Sequence, residues 1–147
     1  EPLVGVPLTN AGDFIEQTGG EGRLRTDKPN SAGAAFSHWN YTGHRVTWQI
    51  TVPQAGRYHL VFRYANSFGA VAERSLLVDG QALPGAERLQ FPPVGTVMDE
   101  WATLPARRAD GSLATWELAA GAHRLTMENT NDHWLNLDQI AFVPAPA

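Results

Sequence analysis

Cysteine is absent from these 147 residues, which excludes disulfides, zinc–thiolate centres and thiol nucleophiles. No apolar run approaches the ~20 residues that a bilayer-spanning helix needs. Basic residues are scarce too: 11 Lys and Arg against 15 Asp and Glu leave a formal charge of −4. Arg107-Arg108 is the one adjacent Lys/Arg pair, and no basic stripe exists to neutralise phosphates, so nucleic acid and anionic membranes are not expected partners. Helix signals are nearly missing. So are a Gly-x-Ser-x-Gly elbow, a phosphate loop and a zinc motif, which argues against an enzyme. The start, Glu1 to Val4, lacks the basic region and apolar stretch of a signal peptide.

What is present reads as one globular domain over residues 1–147. The hydrophobic share is 43% and the charged share 18%, and the length suffices for a core without staples. Short strand signals recur between Gly, Pro, Asn and Asp, the pattern of a sandwich or barrel. Arg45 to Val52 alternates strictly, with Val46, Trp48, Ile50 and Val52 on one face. The turn Pro53 to Gly56 follows, and Arg57 to Tyr64 returns with Tyr58, Leu60, Phe62 and Tyr64 in phase. Further strands are predicted over Glu73 to Asp79, Leu83 to Phe91, Trp101 to Leu104, Ser112 to Leu118, His123 to Met127 and Leu135 to Val143. Weaker signals lie at Asp13 to Glu16 and Gly22 to Arg25, and Pro144 to Ala147 reads as a tail or linker.

In a meander, successive connections alternate between the two ends. The loops Ser37–Gly43, Asn66–Ala72 and Phe91–Glu100 then share one end. Asn129–Trp134 joins them if Trp101 to Leu118 is a single interrupted strand. Sugar recognition needs a flat apolar surface for the C–H face of the ring and planar polar groups for its hydroxyls. Ser37-His38-Trp39-Asn40-Tyr41 offers both within one loop, and so does Asn129 to Asn136 with Trp134, His133, Asp132 and Asn131. Trp39, Tyr41 and Trp134 each either face a ligand or pack over the sandwich edge. Arg74, beside the Asn66–Ala72 loop, is the better candidate for an acidic sugar, while Arg63 pairs either with a buried acid, the favoured reading, or with a uronic acid carboxylate. His59 and His123 fall on strand faces expected to be solvated, and no histidine spacing suggests a metalloprotease.

The runs "VTWQITVPQAGRYHLVFRYAN", "LLVDG", "WELAAGAHRLTMEN" and "LNLDQIAFV" resemble carbohydrate-binding module family 35, and are similar to the related family 6. The resemblance covers residues 34–143. It implies an all-β fold, a jelly-roll-like β-sandwich of two antiparallel sheets that is galactose-binding-domain-like. It further implies a non-catalytic module of a secreted carbohydrate-active enzyme, with polysaccharide or oligosaccharide and a linked catalytic domain as partners. The family's glycan site lies in loops at one end and includes an Asn before the final strand, which matches Asn136. A structural calcium is common in the family, and Asp138 matches one of its ligands. Glu16 is the acid taken to join Asp138. The usual Glu-Ala-Glu start is absent, so the resemblance permits calcium without implying it. Met98 stands where the family usually carries a Trp. The rival readings are a small hydrolase or lyase using loop carboxylates such as Glu73, Asp99, Glu100, Glu128 and Asp132, and a structural or adhesive sandwich that packs against its parent protein.

Overall fold

The computed structural model describes residues 7–108 and 110–145. The Glu1 to Val4 start, and the last two residues of the expected tail, lie outside this range. Among the described residues there is no α-helix, and the single helical turn is of 3-10 type (Ala11–Asp13). No helix is long and apolar enough to cross a membrane.

Two antiparallel sheets pack face to face. The first holds β1 (Leu8–Asn10), β3 (Arg23–Arg25), β4 (Ala35–Ser37), β6 (Gly56–Ala65), β10 (Ala102–Pro105), β11 (Thr115–Leu118) and β13 (Asn136–Pro144). Its order is β10-β6-β13-β4-β3, with β1 on β13 and β11 on β6. The second holds β2 (Glu16–Thr18), β5 (Arg45–Val52), β7 (Ala72–Val78), β8 (Gln81–Ala82), β9 (Leu89–Phe91) and β12 (Gly121–Asn129). Its order is β2-β5-β12-β7-β8, with β9 also on β7.

The period-2 pattern explains the core. In β5, Val46, Trp48, Ile50 and Val52 are buried while Arg45, Gln49 and Thr51 are exposed. Trp48 also satisfies its indole N–H, donating to the Ala11 carbonyl over 2.7 Å. In β6, Tyr58, Leu60, Phe62 and Tyr64 face the same interior. Gly22 admits the Phe36 ring so closely that a Cβ there would lie 1.9 Å from it. β13 is buried from Asn136 to Phe142, since it is central in its sheet and segment 26–34 crosses its outer face.

Three expectations change. The strand expected over Leu83 to Phe91 is broken, because Pro84-Gly85 turns the chain with Gly85 at φ 85°, and only β8 and β9 flank the break. Pro144 is the last residue of β13, paired with Tyr58, rather than linker. His123 is buried, its ring bonded to Asp79 Oδ2 over 2.6 Å and the Ala119 carbonyl over 2.7 Å.

β10 and β11 pair antiparallel with successive halves of β6, so Trp101 to Leu118 is one strand position interrupted by an excursion at 106–114. That arrangement brings loops 38–44, 66–71, 92–101 and 130–135 to one end of the sandwich, as the registers Asn136↔Ala65, Arg74↔Asn129, Ala72↔Phe91 and Arg45↔Glu128 require.

Candidate functional site

The four converging loops are held by specific bonds rather than by chance proximity. Gly43 N donates to Asn129 O over 2.9 Å and Asn129 N to His44 O over 3.1 Å, which extends the β5–β12 ladder into both loops. Thr42 N donates to Asp132 Oδ1 over 2.6 Å, and that contact holds the Asp132 carboxyl below the usual range. Asp132 and His38 both turn the chain in the left-handed region, at φ 60° and 64°. Asn131 joins loop 130–135 to β7, accepting from Glu73 N over 3.0 Å and donating to Val71 O over 3.0 Å. Asn66 knots loop 66–71 to the next loop, donating to Ala70 O and Phe91 O, while its own carbonyl accepts Val94 N over 2.6 Å.

On this frame sits an apolar surface. Nine large hydrophobic side chains are exposed among the described residues, and six of them belong to these loops: Tyr41, Phe68, Val71, Val97, Met98 and Trp134. Trp134 and Phe68 form a tilted ring pair with centroids 5.5 Å apart. Tyr41 is the most open aromatic of the set, 63% exposed. Asn40 is half-buried at the same loop. Asn136 is buried at the mouth of β13, and among the described residues nothing hydrogen-bonds its side-chain amide. His38 is half-buried and shares a 2.8 Å hydrogen bond with Ser37 Oγ. Burial, and then the charges of Arg23, Arg25 and Lys28, push its pKa down, which favours the neutral ring.

Two residues expected to face a ligand do not. Trp39 has no exposed surface: it points into the core, edge-on to Phe36 and Trp48, and donates its indole N–H to His44 O over 3.0 Å. Arg74 is equally sealed. Its guanidinium lies 4.3 Å from the Trp39 ring centroid and donates to the carbonyls of Glu73, Trp39 and His133 at 2.8, 2.9 and 2.9 Å. Burial lowers its pKa to about 9, so it stays charged near neutrality. Arg74 therefore braces the loops from beneath. Phe68 was missed in the sequence, where it sits unmarked between Ser67 and Gly69.

The proposed calcium pair is not assembled. Asp138 lies in the first sheet, where Arg63 and the amide of Ala32 occupy its carboxylate. Glu16 lies on the edge of the second sheet, paired with Arg124 over 2.8 Å. No cluster of three His, Asp or Glu suited to a metal occurs among the described residues, so this donor set does not fit a calcium ion.

A separate cleft of about 500 Å³ opens on the flank between β9 and β10. Its walls mix apolar side chains such as Leu89, Leu104 and Pro105 with the polar Gln90, Arg107 and Arg108. Phe62 and Phe91 line it but present no exposed ring face. A sugar ring needs such a face, so the loop end is the better candidate despite being shallower.

The fold defines the class: this is the β-sandwich of the family 35 and family 6 carbohydrate-binding modules. A family 35 module from Clostridium thermocellum superposes with a TM-score of 0.76 at 20% identity, covering 95% of this chain and 98% of that one. A family 6 module from Cellvibrio mixtus lichenase 5A, solved with cellotriose, gives 0.65 at 20% identity, covering 96% and 98%. In sequence, the chain is 34% identical over 119 residues to a cycloisomaltooligosaccharide glucanotransferase of Niallia circulans. That match covers 78% of this chain and 11% of the enzyme, so the likeness concerns one small region of a much larger protein. No family model matches the chain.

Proposed function

We propose that this chain is a non-catalytic carbohydrate-binding module that holds a polysaccharide across its aromatic loop end and keeps a linked, secreted enzyme on its substrate. The observation that carries this reading is the gathering of six exposed large hydrophobics, Trp134, Phe68 and Tyr41 among them, in four loops braced by buried hydrogen bonds. Large apolar side chains left exposed together at one end of a fold mark a binding site. Trp134 and Phe68 supply the face on which a sugar ring stacks, and Tyr41 extends it. Asn136 and Asn40 supply planar amides for ring hydroxyls, with His38 at the margin.

A site this shallow supports roughly micromolar to millimolar affinity, about −4 to −8 kcal/mol. Its value to a linked enzyme is effective concentration rather than tight capture. Secretion goes with this reading, because a polysaccharide is too large to enter a cell. Catalysis by the module itself is disfavoured by its carboxylates. A glycosidase needs a general acid whose pKa is raised. At the loop end Glu73 and Asp132 are instead shifted down, and Asp99 and Glu128 are paired with Lys28 and Arg45.

The test is a titration of the purified chain against a panel of soluble polysaccharides, beside Trp134→Ala, with reducing ends assayed in parallel. Binding lost in Trp134→Ala without new reducing ends is expected. New reducing ends, or retention of the variant equal to wild type, would overturn the assignment.

A further inference from the structure

All but one of the arginines and lysines near the loop end are paired or sealed, and together these speak to the charge of the ligand. Arg74, the cation at the floor of the site, is sealed: its two terminal nitrogens donate to three main-chain carbonyls, and its Nε is buried without a partner. Arg63 is buried against Asp138. Lys28 is held by Asp99 at 3.1 Å, Arg45 by Glu128 at 2.7 Å and Arg88 by Glu73 at 3.5 Å. Arg25 is held by Asp27 at 2.7 Å. Arg23 is the exception: it remains exposed on edge strand β3, opposite Ser37 and close enough to His38 to lower its pKa, but two strands away from the Asn136 row, about 10 Å across the sheet.

The polar groups beside the rings are of a different kind. Asn40 and Asn136 offer neutral amides. Asp132 is exposed, bound through Oδ1 to Thr42 N and paired with no Lys or Arg among the described residues. Glu100 is exposed in loop 92–101. A carboxylate accepts hydrogen bonds from sugar hydroxyls, but it repels a sugar carboxylate, which would also lose water without gaining a cation.

We infer that the loop end is built for an uncharged glycan and discriminates against uronic acids. This rests on the glycan-binding reading above and narrows it.

The experiment is an array of uncharged polysaccharides (dextran, galactomannan, mixed-linkage β-glucan) beside polygalacturonate and alginate, with each uronate polymer also present in carboxyl-reduced form. Wild type, Trp134→Ala and Arg23→Ala are compared at physiological salt. The expected result is at least one uncharged polymer bound about tenfold or more tightly than any uronate, lost in Trp134→Ala and kept in Arg23→Ala. A uronate bound as tightly as its reduced form, through Trp134 or through Arg23, overturns the inference while the module remains a glycan binder. Wild-type protein that is folded yet retains no polymer overturns both.

Discussion

The guanidinium of Arg74 lies over the Trp39 ring at 4.3 Å, and neither side chain reaches solvent. A buried cation without a carboxylate partner is tolerable only because three carbonyls and an aromatic face replace its water. Those carbonyls belong to Glu73, Trp39 and His133, so one side chain ties together β7 and two of the four loops. Arg74→Ala takes one donor from each of the three carbonyls, leaving Trp39 O and His133 O to Asn129 Nδ2 and Glu73 O to Thr130 N, and opens a cavity against Trp39. A loss of roughly 3 kcal/mol or more is expected in urea unfolding. Arg74→Lys keeps the charge and three donors, but gathers them on one nitrogen without the planar face that lies over Trp39, and should recover only part of that loss. An Arg74→Ala protein as stable as wild type would show that the loops do not depend on this brace.

The aromatic surface predicts the opposite signature. Asn136→Ala and Phe68→Ala remove groups that face the proposed ligand, so titration with a bound polysaccharide should show about tenfold weaker affinity each. Melting temperatures should shift by only a few degrees. Met98 is 54% exposed in loop 92–101 at the same end of the sandwich. Replacing it by Trp adds a stacking face, and affinity should rise by several fold. Equal affinity in all three variants would place the sugar elsewhere on the module.

The split between brace and surface was only partly legible in the sequence. The β5–β6 hairpin could be read because eight and ten residues of alternation fix which face is buried. The convergence of the loops followed from strand counting once β10 and β11 were treated as one position. Trp39 could not be assigned, since a loop residue has no periodic neighbours to reveal its facing. Arg74 was readable in hindsight: it stands in phase with Ala72, Leu76 and Val78, the inward row of β7. Position in that row, not charge, decides where the side chain goes. Strands β1, β3 and β4 are three residues each, too short for alternation to register.

Arg63 and Asp138 make the second buried ionic contact, on the outer side of the first sheet beneath Trp101 and segment 26–34. Asp138→Ala takes the carboxylate away from a buried guanidinium and also frees the amide of Ala32. Breaking such a pair from one side costs about 3–5 kcal/mol. Calorimetry should show a correspondingly large fall in melting temperature. Because Arg63 already neutralises Asp138, a chelator should leave the wild-type melting temperature unchanged. A chelator-induced fall would mean that an ion contributes to the fold.

His44 makes stability sensitive to acid. It is fully buried beneath the same two loops, sharing a 2.8 Å hydrogen bond with Gln17 Oε1. Gly22 N also donates to that oxygen, so Gln17 accepts and His44 Nε2 carries the proton, which leaves buried Nδ1 bare. Burial, and then the charge of Arg74, lowers its pKa. Above about pH 6.5, the unfolded value, the ring is neutral in both states and nothing is lost. Below it the unfolded chain gains a proton that the folded one refuses, so stability falls by up to about 1.4 kcal/mol per pH unit until the folded pKa is reached. His38 and His59 are shifted down by burial and act in the same direction. His123 is shifted up, chiefly by the Ala119 carbonyl and then by Asp79, so its contribution is complete below about pH 6.5 and fades as pH rises through the raised value. Three downward shifts against one upward shift predict a melting temperature that drops between pH 7 and 5. His44→Gln keeps a donor for Gln17 and removes the titrating ring. It should flatten that drop while leaving the pH 7 value within a few degrees of wild type. An undiminished slope in the variant would move the acid sensitivity away from the base of the loops.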